Sequence, residues 1–151
     1  MPMTNTTLYR ISSAVFVLFA AGHTLGFLGF TPSSAAGLAV RDAMNNVHFT
    51  EDGSTFSYGG FYLGLGLSVT AFMLFESFLA WQLGAMVRTT PRAAASIAWA
   101  LSLLQFVSFA LSLRYFAAIP ATFSLVLAIC LAWAAWRSAA TPQAASPKAS
   151  S

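Results

Sequence analysis

The chain has 151 residues, 58% of them hydrophobic and only 7% charged, with a formal net charge of +3. A soluble domain carries about 25% charged residues, so this chain lacks the polar surface to coat a water-soluble globule. Its small, scattered positive excess speaks for membrane topology and against nucleic-acid binding. The single cysteine, Cys130, excludes a disulfide framework, a Cys-x-x-Cys redox pair and a thiolate zinc site, and with them the four-helix quinone-linked thiol oxidoreductases.

Four nearly uncharged runs are each long enough for the ~20 residues that carry an α-helix across a ~30 Å hydrocarbon core. The expected fold is therefore all-α: a polytopic membrane protein, with one four-transmembrane-helix bundle over residues 1–137 and a short amphipathic helix in its first outer loop. A polar lead ending in Tyr9-Arg10 suits the headgroup level. The first helix is expected over about residues 11–30. It is too long for a signal peptide and has no small-residue cleavage site directly after it, so it is read as retained. Gly22, Gly26 and Gly29 form a small-residue stripe along it, and Thr31-Pro32 stops it.

The stretch 31–57 is the one substantial segment outside the membrane. Ser33 or Ser34 caps a short helix with Val40, Met44 and Val47 at i, i+4 and i+7 and with Arg41, Asn45 and His48 opposite. That pattern fits a helix lying over one mouth of the bundle. Glu51-Asp52-Gly53-Ser54 turns the chain back.

The second helix is expected over about 58–87, longer than the core requires, so it tilts or starts in the interface. The pairing of Gly60-x3-Gly64 with Gly22-x3-Gly26 is the expected site of close packing. Pro91 starts a third helix, about 93–113. A loop around Pro120 leads to the fourth, about 121–136, with Trp133 and Trp136 at belt positions. Residues 138–151 are too poor in apolar side chains to order themselves and read as a disordered cytoplasmic tail. Arg10, Arg88, Arg92, Arg137 and Lys148 fall on one side and Arg41 and Arg114 on the other. By the positive-inside rule both termini are cytoplasmic and the 31–57 loop faces outward, across a bacterial inner membrane.

The arginines also serve as depth markers. His23 lies 13 residues from Arg10, Glu76 12 from Arg88, Gln105 13 from Arg92 and Ser124 13 from Arg137. At helical rise all four sit ~18–20 Å from the arginine level, near mid-membrane. An ionised carboxylate there costs at least ~2.5–3.5 kcal/mol, so Glu76 should face the bundle interior and be protonated or paired. His23 is the expected partner, and the two are the candidate acid/base residues. Tyr62 shares the Glu76 face at a seven-residue spacing. Gln105, Ser112 and, at the stripe's edge, Ser108 line the third helix, Ser124 the fourth. Phe72 joins Phe16, Phe19, Phe75, Phe106 and Phe109 as aromatic walls of a lipophilic cavity. Tyr62, Gln105, Ser108, Ser112, Ser124 and Phe72 are thus the candidate ligand-binding residues.

At Gly22-His23-Thr24 and along Tyr58-Gly-Gly-Phe-Tyr-Leu-Gly-Leu-Gly66 the chain resembles a group of small bacterial four-helix membrane proteins of uncharacterised activity. The resemblance covers the first two helices and their loop. It implies an architecture and no chemistry. Small multidrug transporters have their essential glutamate in the first helix and short loops. Glu76 in a second helix and the long loop depart from that pattern.

These features favour a membrane-embedded binder of a lipophilic small molecule, with acid/base chemistry such as isomerisation or cyclisation open to it. The alternative is an accessory subunit of a larger membrane complex or a homo-oligomer with a structural polar layer. Minor alternatives are a proton-coupled transporter and a haem-binding protein. The last has only His23 and His48 as imidazole ligands, and both would ligate only if the loop dipped ~10 Å into the core. No cofactor is expected.

Overall fold

The structure is a computed structural model and describes residues 4–140. Its elements are α1 (Asn5–Gly29), α2 (Ala35–Asn46), β1 (His48–Glu51), β2 (Ser54–Ser57), α3 (Tyr58–Met86), α4 (Pro91–Tyr115) and α5 (Ala118–Ala139). Among the described residues α1, α3, α4 and α5 are long and apolar enough to cross a membrane. Two compact units divide the chain: residues up to 17 together with those from 76 onward, and residues 18–75. Helices α1 and α3 run through both.

The first unit is a ring of four helix segments closed by hydrogen bonds between successive neighbours. Tyr9 on α1 meets Ser138 on α5 at 3.2 Å, and Asn5 donates to the same hydroxyl. Ser13 on α1 meets Ser77 on α3 at 3.0 Å, and the Ser77 hydroxyl also donates to the Ser13 carbonyl. Gln105 on α4 donates to Glu76 on α3. Ser102 on α4 donates to the Ala128 carbonyl on α5 at 2.9 Å. Small residues allow these approaches, because lipid gives helices no hydrophobic reason to associate and close backbone packing must do so instead. Ala94, Ala98 and Ser102 on α4 and Ala121, Ser124, Ala128 and Ala135 on α5 are all buried. The close seam is thus built from alanine and serine on α4 and α5.

In the unit 18–75, Ser34 caps α2 by accepting from the Gly37 amide at 3.0 Å, as the spacing predicts. The amphipathic helix buries no residue, however, and Val40 on its apolar face is 60% exposed. It is a helix with an open apolar face, suited to the plane of a membrane interface. After it comes an antiparallel hairpin that the helical reading omits, pairing His48 with Ser57 through Glu51 with Ser54. Asp52 (φ 47°) and Gly53 (φ 76°) take the two left-handed positions of a type I′ turn. Phe49 packs against Phe56, Tyr58 and Phe61 at centroid distances of 5.9, 4.9 and 5.9 Å, which ties the hairpin to the start of α3.

Three expectations change. Gly22, Gly26 and Gly64 have nothing within 4 Å of where a Cβ would stand, so the glycine pairing of the first two long helices is not a close contact. The close approach in this unit lies at Gly66, where a Cβ would overlap the Phe27 ring. Pro120 lies within the first turn of α5, where a missing N–H costs nothing, and the α4–α5 link shrinks to Phe116 and Ala117. Finally, α5 continues to Ala139, so residues 138 and 139 of the expected tail are helical. The rest of that tail, from 141, lies outside the described residues.

Candidate functional site

The candidate residues fall into two sets, one in each unit. In the unit 18–75, His23 is half-buried, and its Nδ1 hydrogen-bonds Thr70 Oγ1 at 3.1 Å. Thr70 Oγ1 also meets Thr24 Oγ1 at 2.9 Å, while the Thr24 hydroxyl contacts the Ala20 carbonyl at 2.8 Å. A helical threonine commonly bonds the carbonyl four residues back. Here that bond fixes the Thr24 rotamer, and through Thr70 it fixes the imidazole. The His23 ring stacks on Phe27 at 5.8 Å with planes 5° apart, and Phe27 meets Tyr62 at 5.2 Å. Gly66 admits the Phe27 ring to this position. The result is a short run of rings, imidazole to phenyl to phenol, with one imidazole nitrogen bonded and Nε2 left without a partner among the described residues. In the same unit, on the face of α3 opposite Tyr62, Gly66 and Thr70, an open groove of about 330 Å³ is lined by Phe56, Gly60, Phe61, Gly64, Leu65 and Ser68.

In the four-helix unit, Glu76 is 9% exposed and both of its carboxylate oxygens accept from Gln105 Nε2, at 3.2 and 3.1 Å. Gln105 and Ser124 are more deeply buried, and Gln105 Oε1 and Ser124 Oγ have no hydrogen-bond partner among the described residues. Within its own unit each of the two candidate acid/base residues has a partner: Thr70 holds the histidine and Gln105 holds the glutamate.

The remaining candidates separate by burial. Ser112 is buried. Ser108 donates to the Leu104 carbonyl at 3.0 Å within its own helix. Phe72, Phe75 and Phe106 point away from the packed interior at 67%, 58% and 55% exposure, whereas Phe16 and Phe19 are buried. The aromatic set is thus not a single wall. His48 is an exposed strand residue bonded to the Asn46 carbonyl at 2.9 Å.

Thr24 and Thr70 are the site residues that sequence reasoning passes over. Thr24 carries a signal, since it directly follows His23 within an apolar run. Thr70 carries a weaker one, as one of two hydroxyl residues, with Ser68, in the apolar stretch before Glu76. No protein-family model, curated protein or solved structure matches the chain.

Proposed function

We propose that the protein binds a lipophilic small molecule within a bacterial inner membrane, its termini on the cytoplasmic side and the 31–57 loop outside. The observation that carries this reading is the imidazole of His23. Nδ1 is committed to Thr70, the ring face is covered by Phe27, and Nε2 is left free. The Thr24 hydroxyl donates to Ala20 and Thr70 donates to Thr24, so Nδ1–H donates to Thr70 and Nε2 is an acceptor. An apolar molecule bearing one hydroxyl or amine donates to Nε2 and lies on flat aromatic surface at Phe27 and Tyr62. Small-molecule sites have this make-up, mostly apolar walls with a few placed polar groups.

His23 is also the residue placed for acid/base work, with Thr70 in the orienting role that the depth count gives to Glu76. Native mass spectrometry with lipid extraction tests binding. A stoichiometric lipophilic molecule should accompany the wild-type chain and be lost in His23→Ala and in Gly66→Leu, which displaces Phe27, while Ser108→Ala retains it. An empty wild-type chain purified gently from its own membrane overturns the reading.

A second reading, an accessory subunit or homo-oligomer, is favoured by the open space over Gly22, Gly26 and Gly64. Bare glycines on membrane helices suit close approach by a further helix. Cysteine at position 26 should then form a cross-link in native membranes, with itself or with a larger partner.

A further inference from the structure

The four-helix unit contains a second polar site that the proposed ligand reading does not use. Three of its buried oxygen-bearing side chains are short of donors. The Glu76 carboxylate shares a single donor, Gln105 Nε2, between its two oxygens. Gln105 Oε1 and Ser124 Oγ accept nothing among the described residues. The side chains are 9%, 3% and 1% exposed, so bulk water does not satisfy them.

Helix register sets them at one level. Ser102 Oγ bonds the Ala128 carbonyl across the α4–α5 pair. Moving three residues on along α4 reaches Gln105, and moving four back along α5 reaches Ser124. In this antiparallel pair those are shifts of ~5 and ~6 Å in the same direction. Glu76 joins the level through its bond to Gln105.

Buried polar groups in native proteins are satisfied, and a site with acceptors and too few donors calls for something electropositive. The set here is all oxygen: a carboxylate, an amide carbonyl and a hydroxyl. Hard cations take such ligands, whereas softer metals prefer nitrogen and sulfur. Charge decides the valence. One carboxylate in a hydrocarbon core is neutralised by one positive charge, and a divalent ion would leave the same region with a net charge whose burial is costly.

The geometry points to a monovalent-cation site, taking Na⁺ in competition with the proton, in which Glu76 supplies the charge and Gln105 Oε1 and Ser124 Oγ supply neutral ligands. A bound ion allows Glu76 to remain ionised inside the bundle. A bound proton neutralises the same carboxylate. The site therefore exchanges one for the other with no change in net charge.

The test is labelling of the full-length protein in detergent with dicyclohexylcarbodiimide, which attacks a protonated carboxyl group, with modification at Glu76 followed by mass spectrometry. NaCl is compared with choline chloride at equal pH and ionic strength. Labelling is expected to slow about tenfold at a Na⁺ concentration ten times Kd, following 1 + [Na⁺]/Kd. Ser124→Ala should label like wild type in choline and lose most of the protection by Na⁺. It keeps the Glu76–Gln105 bond, so a merely structural role for Ser124 would leave the protection unchanged. His23→Ala should keep full protection, which separates this site from the ligand reading. Thermal unfolding supplies a second readout: Na⁺ should raise the Tm of the wild type and not that of Glu76→Gln. Equal labelling in both salts overturns the proposal, as does protection undiminished in Ser124→Ala. If Glu76 resists the reagent in both salts, equal Tm values in Na⁺ and choline overturn it.

Discussion

The two units use small residues in opposite ways. In the four-helix unit, alanine and serine lie at the points where helices meet, and Ala94, Ala98, Ala134 and Ser138 are all fully buried. In the unit 18–75 the glycines Gly22, Gly26 and Gly64 face open space. Leu25, Leu28, Phe61 and Leu65 beside them are more than half exposed. The first unit spends its small side chains on internal packing. The second leaves its helices bare and invests instead in a hairpin, an aromatic cluster and one hydrogen-bonded histidine. Close internal packing suits a scaffold, and open apolar surface with a few placed polar groups suits encounter with something else.

The comparison breaks or holds most clearly on added bulk. Ala98→Leu inserts a large side chain into a fully buried position and should destabilise by about 1–3 kcal/mol, the usual cost of overpacking. Gly26→Leu faces open space and should be neutral, or stabilising by up to ~1 kcal/mol through helix propensity. Reversible unfolding of the purified chain in mixed detergent micelles measures both. Equal losses in the two variants would show that the glycine face is packed after all and would erase the contrast.

Within the unit 18–75 the hairpin is the expected weak point. Gly53 has φ 76°, where a Cβ costs about 1–2 kcal/mol. Gly53→Ala should lower protection of the hairpin amides in hydrogen exchange while leaving α4 and α5 unchanged. Coupled loss of protection in α4 would mean that the two units unfold together.

How much of this was legible follows from the depth markers. Arg88 lies just past the end of α3, Arg92 in the first turn of α4 and Arg137 in the last turn of α5. Each truly marks a helix end, and the residues counted from them behave accordingly: Glu76 and Gln105 are bonded, with Ser124 level with Gln105 by register. Arg10 is different. Helix α1 begins at Asn5, so Arg10 stands more than a turn inside it. His23 bonds Thr70, six residues before Glu76 in the chain.

Hydropathy and length set the four long helices correctly, because a lipid-spanning helix has to satisfy every backbone group within itself. The hairpin was also written in the chain, as Asp-Gly flanked by Phe-Thr and Thr-Phe, a strong short-range hairpin signal. Glu51 to Ser54 taken alone reads only as a turn. Which glycine stripe packs was not legible, since rotation of a helix about its axis leaves no trace in hydropathy when nearly every face is apolar.

The smallest expected effect lies at the end of the four-helix unit where the Arg10 guanidinium sits 3.1 Å from the Trp81 ring centroid. Gly84 provides the room, since a Cβ there would come within 3.2 Å of Arg10 Nε. Trp81 is about half exposed, so the cation–π contact belongs in the range of about 0.5–1 kcal/mol. A double-mutant cycle of Arg10→Gln and Trp81→Leu, read by the same micellar unfolding, should return a coupling of that size. Arginine at this position then acts as a clasp between α1 and α3. A coupling indistinguishable from zero would remove Arg10 from the packing of this unit, which would then rest on its alanines, serines and buried hydrogen bonds.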